Sequence, residues 1–85
     1  MDGYRYILRQ VSRQGELWVS PECFYAPTLQ HVRQAVVAGY LHGEPRWAET
    51  VDSGMFLYGI DARGKSHETG TCCEDFSVPM LPCRL

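Results

Sequence analysis

The longest regular pattern of apolar positions runs from Thr28 to Gly43 and predicts one helix. Its apolar residues recur at i, i+3, i+7, i+10 and i+11, which places them on one face of a helix with about 3.6 residues per turn. They are Leu29, Val32, Val36, Gly39 and Tyr40. Thr28 is a favourable N-cap, because its hydroxyl can accept a hydrogen bond from a first-turn N–H group. Gly43 and Pro45 predict the end of the helix, since glycine tolerates a left-handed cap and proline cannot continue the helix.

An alternating pattern in front of this helix predicts a β-hairpin. The side chains of residues 4–11 alternate between two faces, and residues 16–20 return as a second strand after a turn at residues 12–15. Pro21 interrupts the second strand, because it cannot donate a ladder hydrogen bond. A short extended piece at residues 23–25 then leads towards the helix.

The segment behind the helix carries a second hairpin. Residues 47–51 read as a weak strand, a turn follows at 52–54, and residues 55–61 form a strong strand rich in aromatic and branched side chains. A turn at 61–64 leads to a last strand at residues 65–69. Sequential hairpins around one helix predict an α+β fold, a small antiparallel sheet of ββαββ type (hairpin–helix–hairpin) with the helix on one face.

The predicted strands are apolar on both faces. The alternating sets are Met55 and Leu57 against Phe56, Tyr58 and Ile60, and Leu17 and Val19 against Trp18. One helix covers only one face of a sheet, and a solvated second face is normally polar at alternate positions. We therefore expect a cover on the second face, and three candidates remain open: the C-terminal tail, a second copy of the chain, or a different protein.

The length of 85 residues indicates one domain. We divide it into an α+β domain at residues 1–69 and an extended tail at residues 70–85 that is expected to pack on it. The tail contains two prolines and little periodicity, which favours an extended conformation. Its apolar side chains make it the first candidate for the cover, and they are Phe76, Val78, Met80 and Leu81.

Charge and composition narrow the classes of function. The net charge of −2 argues against a general nucleic-acid coat, which would be basic. Residues 1–5 lack the basic start and apolar run of a signal peptide, and no stretch approaches the roughly 18 apolar residues of a membrane span. We therefore expect a small acidic protein in the cytoplasm with no membrane partner, whose four cysteines are thiols.

The C-terminal part offers weak candidates for a zinc site. Zinc prefers four thiolate or imidazole ligands in a tetrahedron. The candidates are His67, Cys72, Cys73 and Cys83. The usual C-x₂₋₄-C spacing is absent, so the alternative is that these cysteines are small hydrophobic residues, or that one forms a disulfide with Cys23 under oxidising conditions. Our expectation is no metal and no cofactor.

Nucleophilic catalysis has little support in the sequence. A cysteine nucleophile needs a base, and His67 is the nearest in sequence, with Asp61 or Glu68 to orient it. The chain contains no G-x-S-x-G and no H-E-x-x-H, and we expect no phosphate-binding loop. A solvated pair of His67 and Glu68 on an edge strand is the simpler interpretation. We therefore expect that the chain is not an enzyme.

Arginines on the first strand are the best argument for nucleic acid. Arg5 and Arg9 share a strand face and Arg13 follows in the turn, close to aromatic side chains that could stack on bases. The alternative is cross-strand pairing of these arginines with Glu16 and Glu22. The acidic second half of the chain could instead imitate a polyanion, although a solvated face is the more common explanation.

In size, charge and lack of catalytic motifs, the chain is similar to small accessory proteins of phages and mobile elements. These include inhibitors of host defence complexes such as CRISPR effectors, and the likeness is one of type that covers no specific residues. Our leading hypothesis is a non-enzymatic inhibitor that binds another protein or complex and occludes its surface. The alternatives are a nucleic-acid-binding regulator that uses the same arginines, a zinc-stabilised tail domain and, third, an enzyme that uses Cys72 or Cys73 as nucleophile. A homodimer also stays open. The predicted contact residues are Arg5, Ile7, Arg9, Val11 and Trp18, since Trp and Arg are favoured interface anchors.

Overall fold

The computed structural model describes residues 3–68 of the chain, and the predicted tail at residues 70–85 lies outside them. The described part is the predicted α+β fold, an antiparallel sheet with one helix on one face. Its elements in chain order are β1 (Tyr4–Val11), β2 (Leu17–Val19), β3 (Phe24–Ala26), α1 (Leu29–Ala38), β4 (Arg46–Thr50), β5 (Phe56–Ile60) and β6 (Ser66–Glu68).

The sheet has the strand order β2–β1–β4–β5–β6, and β3 also pairs with β1. β2 pairs with the second half of β1 and β3 with its first half, so the two short strands together form one interrupted edge of the sheet. β3 and β4 lie on opposite sides of β1, and the segment that contains α1 therefore crosses over β1. This crossover places the helix on one face of the sheet.

A serine bridges the interruption between β2 and β3. The backbone N–H of Ser20 donates to the carbonyl of Leu8 at 2.8 Å. The N–H of Leu8 donates in return to the Ser20 hydroxyl at 3.0 Å, and that hydroxyl donates to the carbonyl of Glu22 at 3.0 Å. The side chain thus replaces the ladder bond that the chain cannot make where Pro21 turns it away from the sheet.

Helix α1 begins as predicted and ends early. Thr28 is the N-cap, and its hydroxyl accepts from the N–H of His31 at 3.4 Å. The predicted end at Gly43 is wrong, because the helix stops at Ala38 and Gly39 caps it. The guanidinium of Arg46 occupies the space where a Cβ at position 39 would lie. Gly43 has a positive φ of 85°, but it belongs to a separate turn.

Hydrophobic residues form a cluster on each face of the sheet. The helix-side cluster is centred on Val32 and Val36 of α1, and its other buried members are Tyr6, Leu8, Ala26, Ala48, Leu57, Tyr58 and Ile60. The cluster on the second face contains Val11, Trp47 and Phe56, with Leu17 packed against it. Both faces are therefore apolar, as the strand patterns predict.

A bulge between β4 and β5 changes the predicted alternation. The register pairs Ala48 with Tyr58 but Glu49 with Phe56, which leaves Leu57 as the extra residue. The pattern predicts Phe56 on the same face as Tyr58, whereas Phe56 lies in the second-face cluster. A bulge inserts one residue into a strand, so the residues before it point to the opposite face from the one that strict alternation predicts.

Candidate interaction site

The structure brings four of the five predicted contact residues to one face of the sheet. Arg5, Ile7, Arg9 and Val11 alternate along β1 on the face opposite the helix. Trp18 pairs with Gln10, and directly paired residues of neighbouring strands point to the same side. Trp18 therefore lies on the helix side and does not join the other four.

Three of those four residues are buried. Ile7, Arg9 and Val11 are 0%, 2% and 5% exposed, whereas the Arg5 side chain is 59% exposed and lies 3.9 Å from Asp52. Of the four predicted contact residues on this face, Arg5 is therefore the one with an exposed side chain. Trp18 is 43% exposed and remains accessible.

Arg9 takes part in a buried polar network. Its Nε lies 3.1 Å from Glu49 Oε2, and the indole Nε1 of Trp47 donates to the same oxygen at 2.7 Å. The partner of Arg9 is therefore Glu49 of the adjacent strand, not Glu16 or Glu22. Burial raises the pKa of Glu49, and the Trp47 hydrogen bond and the Arg9 charge oppose that rise. An arginine held in this way is not directed at a phosphate.

The interpretation of His67 as a solvated residue is wrong. His67 is buried on β6, and its Nε2 lies 3.2 Å from Oδ2 of Asp61, which is buried too. Asp61 Oδ1 also accepts the backbone N–H groups of Arg63 and Lys65, both at 2.9 Å. An aspartate and a histidine in contact are two parts of a general-base arrangement. The thiols proposed as its nucleophile lie outside the described residues.

The turn between β5 and β6 also contains a sequence motif that the pattern analysis missed. Residues 59–66, GIDARGKS, match the phosphate-loop motif G-x-x-x-x-G-K-[ST]. That motif binds phosphate where it leads from a strand into a helix. Here it leads from one strand into another, and the Asp61 carboxylate already occupies two of the turn's backbone N–H groups. The motif therefore lacks the strand-to-helix turn and the free N–H groups with which a phosphate loop binds its ligand.

Of the four candidate zinc ligands, His67 lies in the described part of the chain, where its Nε2 contacts Asp61. Among residues 3–68, no three His, Cys, Asp or Glu side chains form a group that could hold a metal ion. Cys23 is an exposed free thiol. The candidates Cys72, Cys73 and Cys83 lie beyond the described residues.

An open groove lies beside Trp18, at the edge of the sheet. It measures about 470 Å³ and is lined by Gln10, Ser12, Glu16, Leu17, Trp18 and Arg46. Arg46 NH1 donates to Oε1 of Gln10, and the guanidinium packs against the backbone at Gly39. The groove therefore combines an exposed indole with a cation that is fixed in position from two sides.

A second exposed aromatic side chain lies along the same sheet edge. Tyr25 of β3 is 52% exposed and pairs with Arg5 on the second face. Trp18 and Tyr25 thus extend from the β2–β3 edge on opposite sides of the sheet. We call Arg5, Trp18, Tyr25 and Arg46 the edge surface. Tyr25 and Arg46 were not singled out from the sequence, because their exposure and position depend on strand pairing that has no local signal.

Comparison of the chain with protein-family models, with curated proteins and with solved structures gives no match. Within residues 3–68, no helix has the length and apolar character needed to cross a membrane.

Proposed function

We propose that the chain is a non-enzymatic interaction module that binds a larger protein through the edge surface and occludes part of it. The observation that carries this proposal is the placement of two exposed aromatic side chains, Trp18 and Tyr25, on one interrupted sheet edge. Exposed Trp, Tyr and Arg side chains are the residue types that dominate binding energy at protein interfaces. The proposal retains Trp18 and Arg5 from the sequence-based surface and replaces its buried members.

The interruption of the edge supports a role in binding side chains rather than in adding a strand. Strand addition needs a continuous row of free N–H and C=O groups. Pro21 and the Ser20 hydrogen bonds divide the β2–β3 edge into two strands of three residues each. Short, interrupted edges disfavour pairing with a foreign strand. The side chains of the edge surface are therefore the parts available to a partner.

The buried ion pair of Arg9 favours this function over the nucleic-acid alternative. Because Arg9 is buried beside Glu49, the exposed arginines of β1 and the following turn are Arg5 and Arg13. Two exposed charges on a chain of net charge −2 provide little of the counterion release that drives binding to phosphates.

The test compares two double variants in a binding assay with a partner captured from a host-cell lysate and then purified. Trp18→Ala with Tyr25→Ala removes the aromatic anchors, and Val37→Ala with Met55→Ala removes two exposed apolar side chains elsewhere. We expect the edge variant to raise Kd by about 100-fold or more and the control to change it by less than about threefold. Both variants should retain the wild-type circular dichroism spectrum. Equal Kd values for the edge and control variants would refute the proposal.

A further inference from the structure

Arg46 brings a positive charge to the groove, and no ion pair within residues 3–68 neutralises it. Its hydrogen-bond partner is the neutral amide of Gln10, and the ionisable group that affects it most is the Tyr6 hydroxyl. The ion pairs among residues 3–68 involve Arg5, Arg9 and His67, and Arg46 takes part in none of them. Its Nε is buried and has no acceptor in that part of the chain.

A partly buried cation of this kind is unusual, because transfer out of water disfavours the charged form unless a counterion is near. Burial lowers the pKa of Arg46, and the Tyr6 hydroxyl opposes this shift. Arginine nevertheless stays charged at neutral pH. The negative end of the α1 dipole at Gly39 offsets part of the cost. That end supplies partial charge only, and the Gln10 amide is neutral, so no full counterion pairs with Arg46 among residues 3–68.

The residues that line the groove indicate which kind of partner side chain would bind next to that counterion. Trp18 and Leu17 provide apolar surface beside Arg46, and the volume of about 470 Å³ is that of a site for a few side chains. Glu16 also lines the groove, and Glu44 lies close by, where its Oε2 accepts the N–H of Arg13 at 3.2 Å. This acidic rim repels a chain of phosphates more strongly than it repels a single carboxylate.

We propose that the groove receives an acidic side chain of a protein partner, with its carboxylate on the Arg46 guanidinium and a neighbouring apolar side chain against Trp18. The proposal rests on the proposed function and names the chemistry of the partner segment. A guanidinium and a carboxylate form a charge-assisted hydrogen bond, and the apolar contact adds burial of the indole.

The test is a nuclear magnetic resonance titration of the full chain with two synthetic peptides and one oligonucleotide. One blocked peptide alternates Glu with Leu and Phe, the second has Gln in place of every Glu, and the third probe is a twelve-residue oligothymidine. The reporters are the side-chain Nε–H of Arg46 and the indole N–H of Trp18. We expect the Glu peptide to shift both signals and to bind about tenfold or more tightly than the Gln peptide at moderate salt.

Three substitutions sharpen the result without removing the groove. Glu16→Gln removes the repelling carboxylate from an exposed turn residue, and we expect it to tighten binding of the Glu peptide by about two- to fivefold and leave the Gln peptide unchanged. Arg46→Gln should reduce binding of the Glu peptide to the level of the Gln peptide. Arg46→Lys keeps the charge and should retain part of the difference.

Several outcomes would overturn the proposal. These are equal binding of the two peptides, binding of neither, or Arg46 shifts caused by the oligonucleotide alone. Binding of the purified, captured partner to single variants distinguishes failure of this proposal from failure of the proposed function. If Trp18→Ala weakens the partner and Arg46→Gln does not, the module binds through its edge but does not recognise an acid there. If neither substitution matters, both proposals fail.

Discussion

At the scale of single residues, the decisive feature is a charge pair that the sequence separates by forty positions. Arg9 and Glu49 meet across two adjacent strands, and Trp47 donates to the same carboxylate. All three are buried. Removing one member of such a pair leaves the other charge without compensation, which costs much more than the net contribution of the intact pair.

Glu49→Gln tests this pair. Glutamine keeps the shape and can still accept from Trp47, but it removes the carboxylate charge that lies 3.1 Å from Nε of the buried Arg9. We expect the free energy of unfolding, measured with urea, to fall by about 3 kcal/mol or more. The matched control is Glu68→Gln, at an exposed position of β6, for which we expect a change within about 0.5 kcal/mol. Equal effects of the two substitutions would show that the pair is not a structural element.

The contribution of Asp61 to the stability of the fold is expected to depend on pH. Burial alone would raise the pKa of its carboxyl, but the hydrogen bonds from Lys65, His67 and Arg63 outweigh burial, and the pKa lies below its ordinary value of 3.8. A pKa lowered by folding stabilises the native state above the ordinary value, and this stabilisation is lost as the pH falls through the native pKa. Asp61 therefore contributes its full stabilisation at neutral pH.

Asp61→Asn should lower the free energy of unfolding at pH 7 by about 1–3 kcal/mol, since it removes hydrogen bonds to a charged acceptor. The difference from wild type should shrink as the pH is lowered below the ordinary carboxyl range, because the wild-type carboxyl is then protonated as well. Urea titrations across that range measure the trend. Asp52→Asn, at an exposed turn position, should show a small difference at every pH. A difference for Asp61→Asn that stays constant with pH would contradict the assignment.

At the scale of elements, one side chain joins the two strands of the interrupted edge. Ser20→Ala would leave the Leu8 N–H and the Glu22 carbonyl without the serine hydroxyl. We expect a loss of about 1–3 kcal/mol in the free energy of unfolding, because a buried donor would be left unsatisfied. Amide exchange at Leu8 should accelerate more than exchange at Ala48 in the neighbouring strand. Unchanged exchange at Leu8 would show that water or a backbone shift replaces the hydroxyl.

The elements themselves were largely predictable, because strand and helix periods are local properties of the sequence. The structure confirms all the predicted strands within about two residues at each end, as far as they lie in the described range. The end of the helix was not predictable, since it depends on Arg46 packing against Gly39 from another element. The bulge at Leu57 and the facing of Trp18 were missed for the same reason: each depends on the register between two strands.

The candidate site was less predictable than the fold. Its place in an alternating strand predicts that Arg9 is a surface residue. In the structure it is buried beside Glu49, which is forty positions away in the sequence. Trp18 is accessible in the structure, but its neighbours in space are Gln10 and Arg46 and not the apolar residues of β1. A pattern along one strand predicts which residues share a face. It does not predict which strand pairs with it or what lies opposite.

At the scale of the whole molecule, two hydrophobic clusters share a single sheet. Neighbouring residues of β4 belong to different clusters, with Ala48 on the helix side and Trp47 on the second face. Loss of either cluster exposes the backbone hydrogen bonds on which the other depends. Small single domains of this kind usually unfold in one cooperative transition. We therefore expect the two faces to unfold together.

The two tryptophans allow this expectation to be tested, because Trp47 is buried in the second-face cluster and Trp18 is exposed at the edge. In Trp18→Phe, the emission comes from Trp47 alone, and it should be blue-shifted, protected from iodide, and change at the same urea midpoint as the helical circular dichroism signal of α1. Trp47→Phe leaves the emission of Trp18, which should be quenched by iodide in the native state. A Trp47 transition at a lower urea concentration than the helix transition would show that the second face is a separate, weaker unit. Coincident midpoints would instead mean that any partner bound at the edge surface stabilises both clusters together, by mass action on one folding equilibrium.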